Sequence, residues 1–108
     1  MQREIDRYLA YLIGDKGSSE NTVAAYRNDL SQLREFLRTN GRPLTVVGGG
    51  EDGFNWAAVT KTRLLAFLAS LREKGYASAT LARKVAAVKS YFHWLAAEGL
   101  IQLDPTDN

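Results

Sequence analysis

Glycines set the frame for this chain. Gly14, Gly41, Gly75 and Gly99 each follow a segment whose apolar residues recur every three to four positions. Glycine reaches the left-handed conformation that commonly closes a helix, so each marks an expected C-terminal end. Ser19, Thr60 and Ser78 stand at the matching starts, where a short hydroxyl can accept a bond from an otherwise unpaired first-turn amide. Val59 and Leu64 flank the second of these starts at the spacing of a hydrophobic staple. The punctuation predicts four helices, over residues 2–13, 20–39, 61–74 and 79–98.

The periodicity also predicts which side of each helix is buried. The first offers Ile5, Leu9 and Leu12, with Tyr8 and Ile13 at the edges of the stripe. The second offers Val23, Tyr26, Leu30, Leu33 and Leu37; the third, Leu64, Phe67, Leu68 and Leu71; the fourth, Leu81, Val85, Val88, Phe92 and Leu95. No strong strand pattern competes. The expected architecture is all-α, a four-helix bundle forming a single domain over residues 1–108.

The stretch from Gly41 to Val59 breaks the pattern. Its crowded glycines oppose a helix, and "LTVV" is too short to build a sheet. A long glycine-rich loop between the second and third helices is expected, with Phe54 and Trp56 anchoring its far end on the bundle. The three consecutive glycines match no phosphate-loop or dinucleotide fingerprint, because no Lys-Ser/Thr follows.

Composition removes whole classes of chemistry. The chain has no cysteine, which excludes disulfides, thiolate metal sites and cysteine nucleophiles. One histidine, His93, is too few for a zinc site or a Ser-His-Asp relay, and it reads as structural or surface. Glu4, Asp6, Asp29 and Glu73 are scattered and define no paired-carboxylate site. No catalytic residues, cofactor or metal are expected, and the domain is not expected to be an enzyme by itself. No apolar run reaches the ~20 residues needed to span a bilayer. The N-terminus is too charged for a signal peptide. A cytoplasmic location with no membrane partner follows as the expectation.

With a net charge of only +2, the placement of cations matters more than their number. On the second helix Arg27, Arg34 and Arg38 form a stripe along one flank of the core, with Glu35 in reach of Arg38. Such a stripe suits a passing phosphate backbone, and equally a solvated flank. The fourth helix presents Ser78, Ala79, Thr80, Arg83, Ala86 and Ser90 outward. Small residues with one long cation suit close approach to a DNA groove, and small residues suit helix packing just as well. Trp94 projects off the main stripe, toward a second surface such as the first helix.

Two stretches together resemble the N-terminal core-binding, SAM-like domain of the tyrosine recombinase or phage integrase family, of Xer type. The pattern Ser-x-Asn-Thr-x-x-x-Tyr-x-x-Asp-Leu is carried by Ser19, Asn21, Thr22, Tyr26, Asp29 and Leu30. The second half carries Ser78, Thr80, Arg83, Tyr91-Phe92, Trp94-Leu95 and the Gly99-Leu100-Ile101 exit. The resemblance implies a domain that forms half of a clamp around double-stranded DNA at a recombination site, with its second and fourth helices toward the major groove. Carried over by position, the implied DNA-facing residues are Asn21, Thr22, Ala25 and Arg27, then Ser78, Thr80, Arg83, Lys84 and Lys89. Tyr26 sits on the core stripe and reads as packing; Arg34 and Arg38 keep the solvated-flank reading. The resemblance further implies other recombinase subunits as partners on DNA. The strand-cleaving tyrosine and arginines belong to a catalytic domain absent from these residues, so the chain reads as an excised domain or fragment, with a stand-alone short protein as the alternative. At "DPTDN", Asp104 stands where the family usually has Asn before Pro105. The alternative from a different class is a helical protein-interaction domain, with the alanine-rich face of the fourth helix receiving a partner.

Overall fold

The computed structural model describes residues 3–40 and 54–107. Among the described residues four α-helices carry the fold: α1 (Arg3–Gly14), α2 (Glu20–Thr39), α3 (Lys61–Glu73) and α4 (Ser78–Ala97), with a 3-10 turn at Trp56–Ala58. Most of the expected Gly41–Val59 loop, and the expected helix end at Gly41, lie outside the described residues.

The helix starts follow local chemistry. Ser19 caps α2 by accepting the amide of Thr22 at 3.2 Å, and Thr60 caps α3 by accepting that of Arg63 at 3.3 Å. Ser78 differs from expectation. It is the first residue of α4, the cap position falls on Ala77, and no side chain bonds there. The ends are also as chemistry requires, with one shift. Gly75 (φ 75°) and Gly99 (φ 74°) take the left-handed conformation, whereas Gly14 stays within α1 and Gly17 (φ 64°) makes the turn instead. After α4 the amide of Leu100 donates to the Leu95 carbonyl at 2.9 Å, and that of Gly99 to Ala96 at 3.1 Å. These crossed bonds are a Schellman motif, which only a residue free to adopt positive φ closes without strain.

Helix α2 packs along both α1 and α4 and touches α3. Ile5, Leu9, Leu12, Val23, Leu30, Leu33, Leu37, Leu64, Phe67, Leu71, Val88, Phe92 and Leu95 are buried as the periodicity expects. Tyr8 is fully buried rather than marginal, and Ile13 is 60% exposed. Leu81 and Val85 are half-buried. The expected anchors are in place: Phe54 and Trp56 are buried, their rings 4.6 Å apart, and Trp56 meets Tyr91 edge-on at 4.9 Å. Trp94 covers α1, lying 5.6 Å from Tyr8 and 6.3 Å from Tyr11. Arg63 of α3 adds a link that periodicity gave no hint of. Its guanidinium donates to the carbonyls of Leu37 and Asn40, satisfying the C-terminal end of α2 with a cation.

Candidate nucleic-acid interface

A charged cluster sits at the α2–α4 contact. Asp29 is 1% exposed, on the edge of the α2 stripe. Arg83 donates to it from Nε (2.9 Å) and Nη2 (2.7 Å), and Lys84 from Nζ (2.9 Å). Adjacent residues on α4 point about 100° apart, so the two cations approach the carboxylate from different sides. Lys84 takes the inner approach: it is 3% exposed, donates also to Gln32 at 2.8 Å, and lies 4.9 Å from the Tyr76 ring centre. The Gln32 amide then donates to the Tyr76 hydroxyl at 3.0 Å, drawing in the α3–α4 turn. Arg83 takes the outer approach. Its side chain is 39% exposed, and the bonds from Nε and Nη2 leave Nη1 outside the pair. The bidentate hydrogen bonding to Asp29 pushes the Arg83 guanidinium further above its ordinary value, so the charge is permanent.

Around this cluster the expected residues divide. Asn21, Thr22 and Ala25 precede Asp29 by eight, seven and four positions, which places them on its side of α2. Asn21 and Thr22 are exposed and Ala25 is half-buried. The Thr22 hydroxyl is engaged locally, accepting from Ser19 at 3.0 Å. On α4, Ser78, Ala79, Ala82, Ala86 and Lys89 are exposed, and Thr80 is half-buried beside them. Ser90 turns the other way and shares a 2.6 Å hydrogen bond with Tyr8.

Two of the expected residues stand apart from that outer face. Lys84 is enclosed and spent on Asp29 and Gln32, so its ammonium has no path to an external phosphate. Arg27 is exposed but belongs to another flank. It lies about 200° round the helix from Asp29, and donates at 3.0 Å to Asp6 of α1. Arg27, at the head of the arginine stripe, therefore faces α1 and does not join Arg83. Along that stripe Arg38 pairs with Glu35 at 2.6 Å, holding the Glu35 carboxyl below its ordinary value, and Arg34 lies over the Phe54 ring at 5.1 Å. Gln32 and Tyr76 were missed by sequence reasoning. A polar residue one turn from Asp29, on the edge of the apolar stripe, was the available signal.

A second feature lies between α3 and α4, a groove of about 170 Å³ walled by Leu64, Leu65, Leu68, Val85, Val88 and Pro105. Nearby, His93 is exposed and reaches Asp104 at 3.2 Å, while Asp104 also accepts from the amide and hydroxyl of Thr106. Among the described residues no group of three or more His, Cys, Asp or Glu is placed to hold a metal ion. No described helix is long and apolar enough to cross a membrane.

Comparison with known proteins decides the family. Residues 5–99 match the phage integrase N-terminal SAM-like domain. The chain belongs to that family. Among relatives of this SAM-like domain, the tyrosine recombinase XerC of Roseiflexus castenholzii is 46% identical over 99% of this chain and 31% of its own length. The tyrosine recombinase XerC of Herpetosiphon aurantiacus is 40% identical over 100% of this chain and 32% of its own. That of Pseudomonas putida is 33% identical over 97% and 31%. The chain thus spans about a third of the length of these curated relatives.

Proposed function

We propose that this SAM-like domain binds double-stranded DNA through the outer face of α4 and the adjoining side of α2, as the N-terminal half of a clamp on a recombination site. The observation that carries the reading is Arg83, a permanent cation fixed in direction by Asp29, standing beside an uncovered row of small residues. A duplex can approach Ser78, Ala79, Ala82 and Ala86 closely because none extends a long side chain. Arg83 then reaches a phosphate or a guanine edge, and Lys89 on the same helix supplies a second, exposed cation. Asn21 and Thr22 on α2 and Thr80 on α4 offer short hydrogen-bonding groups. Ala25 is a close-approach position. Arg27, on the α1 flank, would meet only a backbone that wraps past α1, and Lys84 acts from beneath. Assembly with further recombinase subunits on DNA, and a cytoplasmic location beside that DNA, go with this reading.

A fluorescence anisotropy titration with a labelled duplex tests it. Binding is expected at ~50 mM salt and is expected to fall steeply toward ~200 mM, because phosphate contacts release counterions. Arg83→Ala is expected to weaken it by about 1–3 kcal/mol. Absence of binding at ~50 mM salt, with the domain folded, would overturn the proposal. The apolar α3–α4 groove favours a second reading, a protein-docking domain. It predicts salt-insensitive association with a protein partner and no response of α4 amides to DNA.

A further inference from the structure

The cluster at Asp29 contains more charge than a structural link needs. The bidentate pair with Arg83 already satisfies the carboxylate and joins α2 to α4. A fully enclosed ammonium is expensive, and replacing such a group by an apolar side chain of similar volume is often neutral or stabilising. Lys84 is enclosed to that degree and bonds the same carboxylate oxygen that Arg83 Nη2 does. Two cations against one carboxylate leave one positive charge, and only Arg83 opens to solvent.

We infer that Lys84 is a buried counter-charge: by neutralising Asp29 from the inside, it leaves the charge of Arg83 available to a phosphate group outside. Without it the Asp29–Arg83 pair would be neutral as seen from solvent, and a phosphate arriving at Nη1 would meet the carboxylate's field as well as the guanidinium's. Lys84 is thus a positioning and charge-balancing residue that touches no ligand. The inference rests on the DNA-binding reading for its biological ligand, though the anion site itself does not.

The test is a charge cycle in the 108-residue chain. Lys84→Met removes the counter-charge while filling the same space; Lys84→Gln serves if the methionine variant does not melt cooperatively. Each protein is titrated with a mixed-sequence 30-base-pair duplex at several salt concentrations. Lys84→Met is expected to bind about tenfold more weakly, as Arg83→Gln does. Its salt dependence should be shallower by roughly one phosphate contact, a slope change near ~0.9. The double variant Asp29→Asn with Lys84→Met has no internal charge to balance and is expected to regain the wild-type slope. A purely structural role for Lys84 would move the melting temperature and leave the slope alone. Wild-type affinity and slope in Lys84→Met, or failure of the double variant to regain the slope, would overturn the inference. The same proteins are titrated with inorganic phosphate while the Arg83 Nε–H resonance is followed by NMR, and a several-fold weaker response is expected in Lys84→Met. If phosphate moves Arg83 but the duplex does not bind, the DNA-binding proposal falls and the anion site stands. If neither binds the wild-type chain, both fall.

Discussion

Replacing Asp29 by alanine should be the most damaging single polar change in the α2–α4 contact, and its size follows from how unequal its two partners are. Arg83 is 39% exposed, so water takes over most of its lost bonding. Lys84 is 3% exposed and keeps only Gln32 at 2.8 Å and the face of Tyr76 at 4.9 Å. Removing one partner of a buried ion pair costs about 3–5 kcal/mol, because a charge is left enclosed without compensation. The surviving contacts of Lys84 put this case at the lower end, about 3 kcal/mol. For a chain of this size, an unfolding entropy of roughly 2.1 cal/mol/K per residue turns that into a fall in Tm of about 13 °C. Lys84→Met alone should change stability by less than about 1 kcal/mol, since Asp29 retains Arg83. Combined, the two changes should cost about 2 kcal/mol less than their sum, which is the coupling that direct contact implies. Urea unfolding followed by far-ultraviolet circular dichroism measures all four corners of the cycle. A cost for Asp29→Ala under about 1 kcal/mol at unchanged m, or simple additivity with Lys84→Met, would refute the reasoning.

Other consequences are as specific. Trp56→Ala should cost about 3–5 kcal/mol in the same unfolding assay, because the ring is buried against Phe54, Tyr91 and Phe92. Gly75→Ala should cost about 1–2 kcal/mol although nothing lies within 4 Å of the added methyl, since φ is +75° and the penalty is in the backbone alone. Burial pushes the Tyr8 hydroxyl above its ordinary value of 10.0, with the hydrogen bond to Ser90 opposing in part. Below pH 10 both folded and unfolded chains hold this proton; above it the unfolded chain releases it first, so stability should fall as the pH climbs from 10 toward the raised folded value. Tyr8→Phe should lower stability by about 1 kcal/mol at neutral pH through the lost bond, and should flatten that alkaline decline; an unchanged decline would assign it elsewhere.

Much of this fold is legible along the chain, since helix ends are local events. A hydroxyl three residues before an amide, as at Ser19 and Thr60, or a glycine after the last apolar position, as at Gly75 and Gly99, acts through neighbours in sequence. The two misplacements have local causes. Gly14 can continue a helix as well as end one, and α1 runs through it until Gly17 supplies the turn. The hydroxyl of Ser78 suits a cap, but α4 begins one residue earlier than that requires. The aromatic anchors were likewise legible, because Phe54 and Trp56 are too large and apolar to remain outside in a segment next to a core.

Four helices and most of their buried stripes are legible in the residues alone, because periodicity and capping are properties of neighbouring residues, and the family is legible in the motif residues that the two halves carry in order. The sequence could place Arg27 and Asp29 at fixed angles about α2, yet it could not say which neighbour lay on which side. That was decided by the packing of α1 and α4 against opposite flanks of α2, which sends Arg27 to Asp6 and brings Asp29 to Arg83, 54 positions away. The same packing buried Lys84 and left its neighbour Arg83 at the surface. Adjacent cations on a helix differ only in direction, and a direction acquires meaning when another helix stands in it.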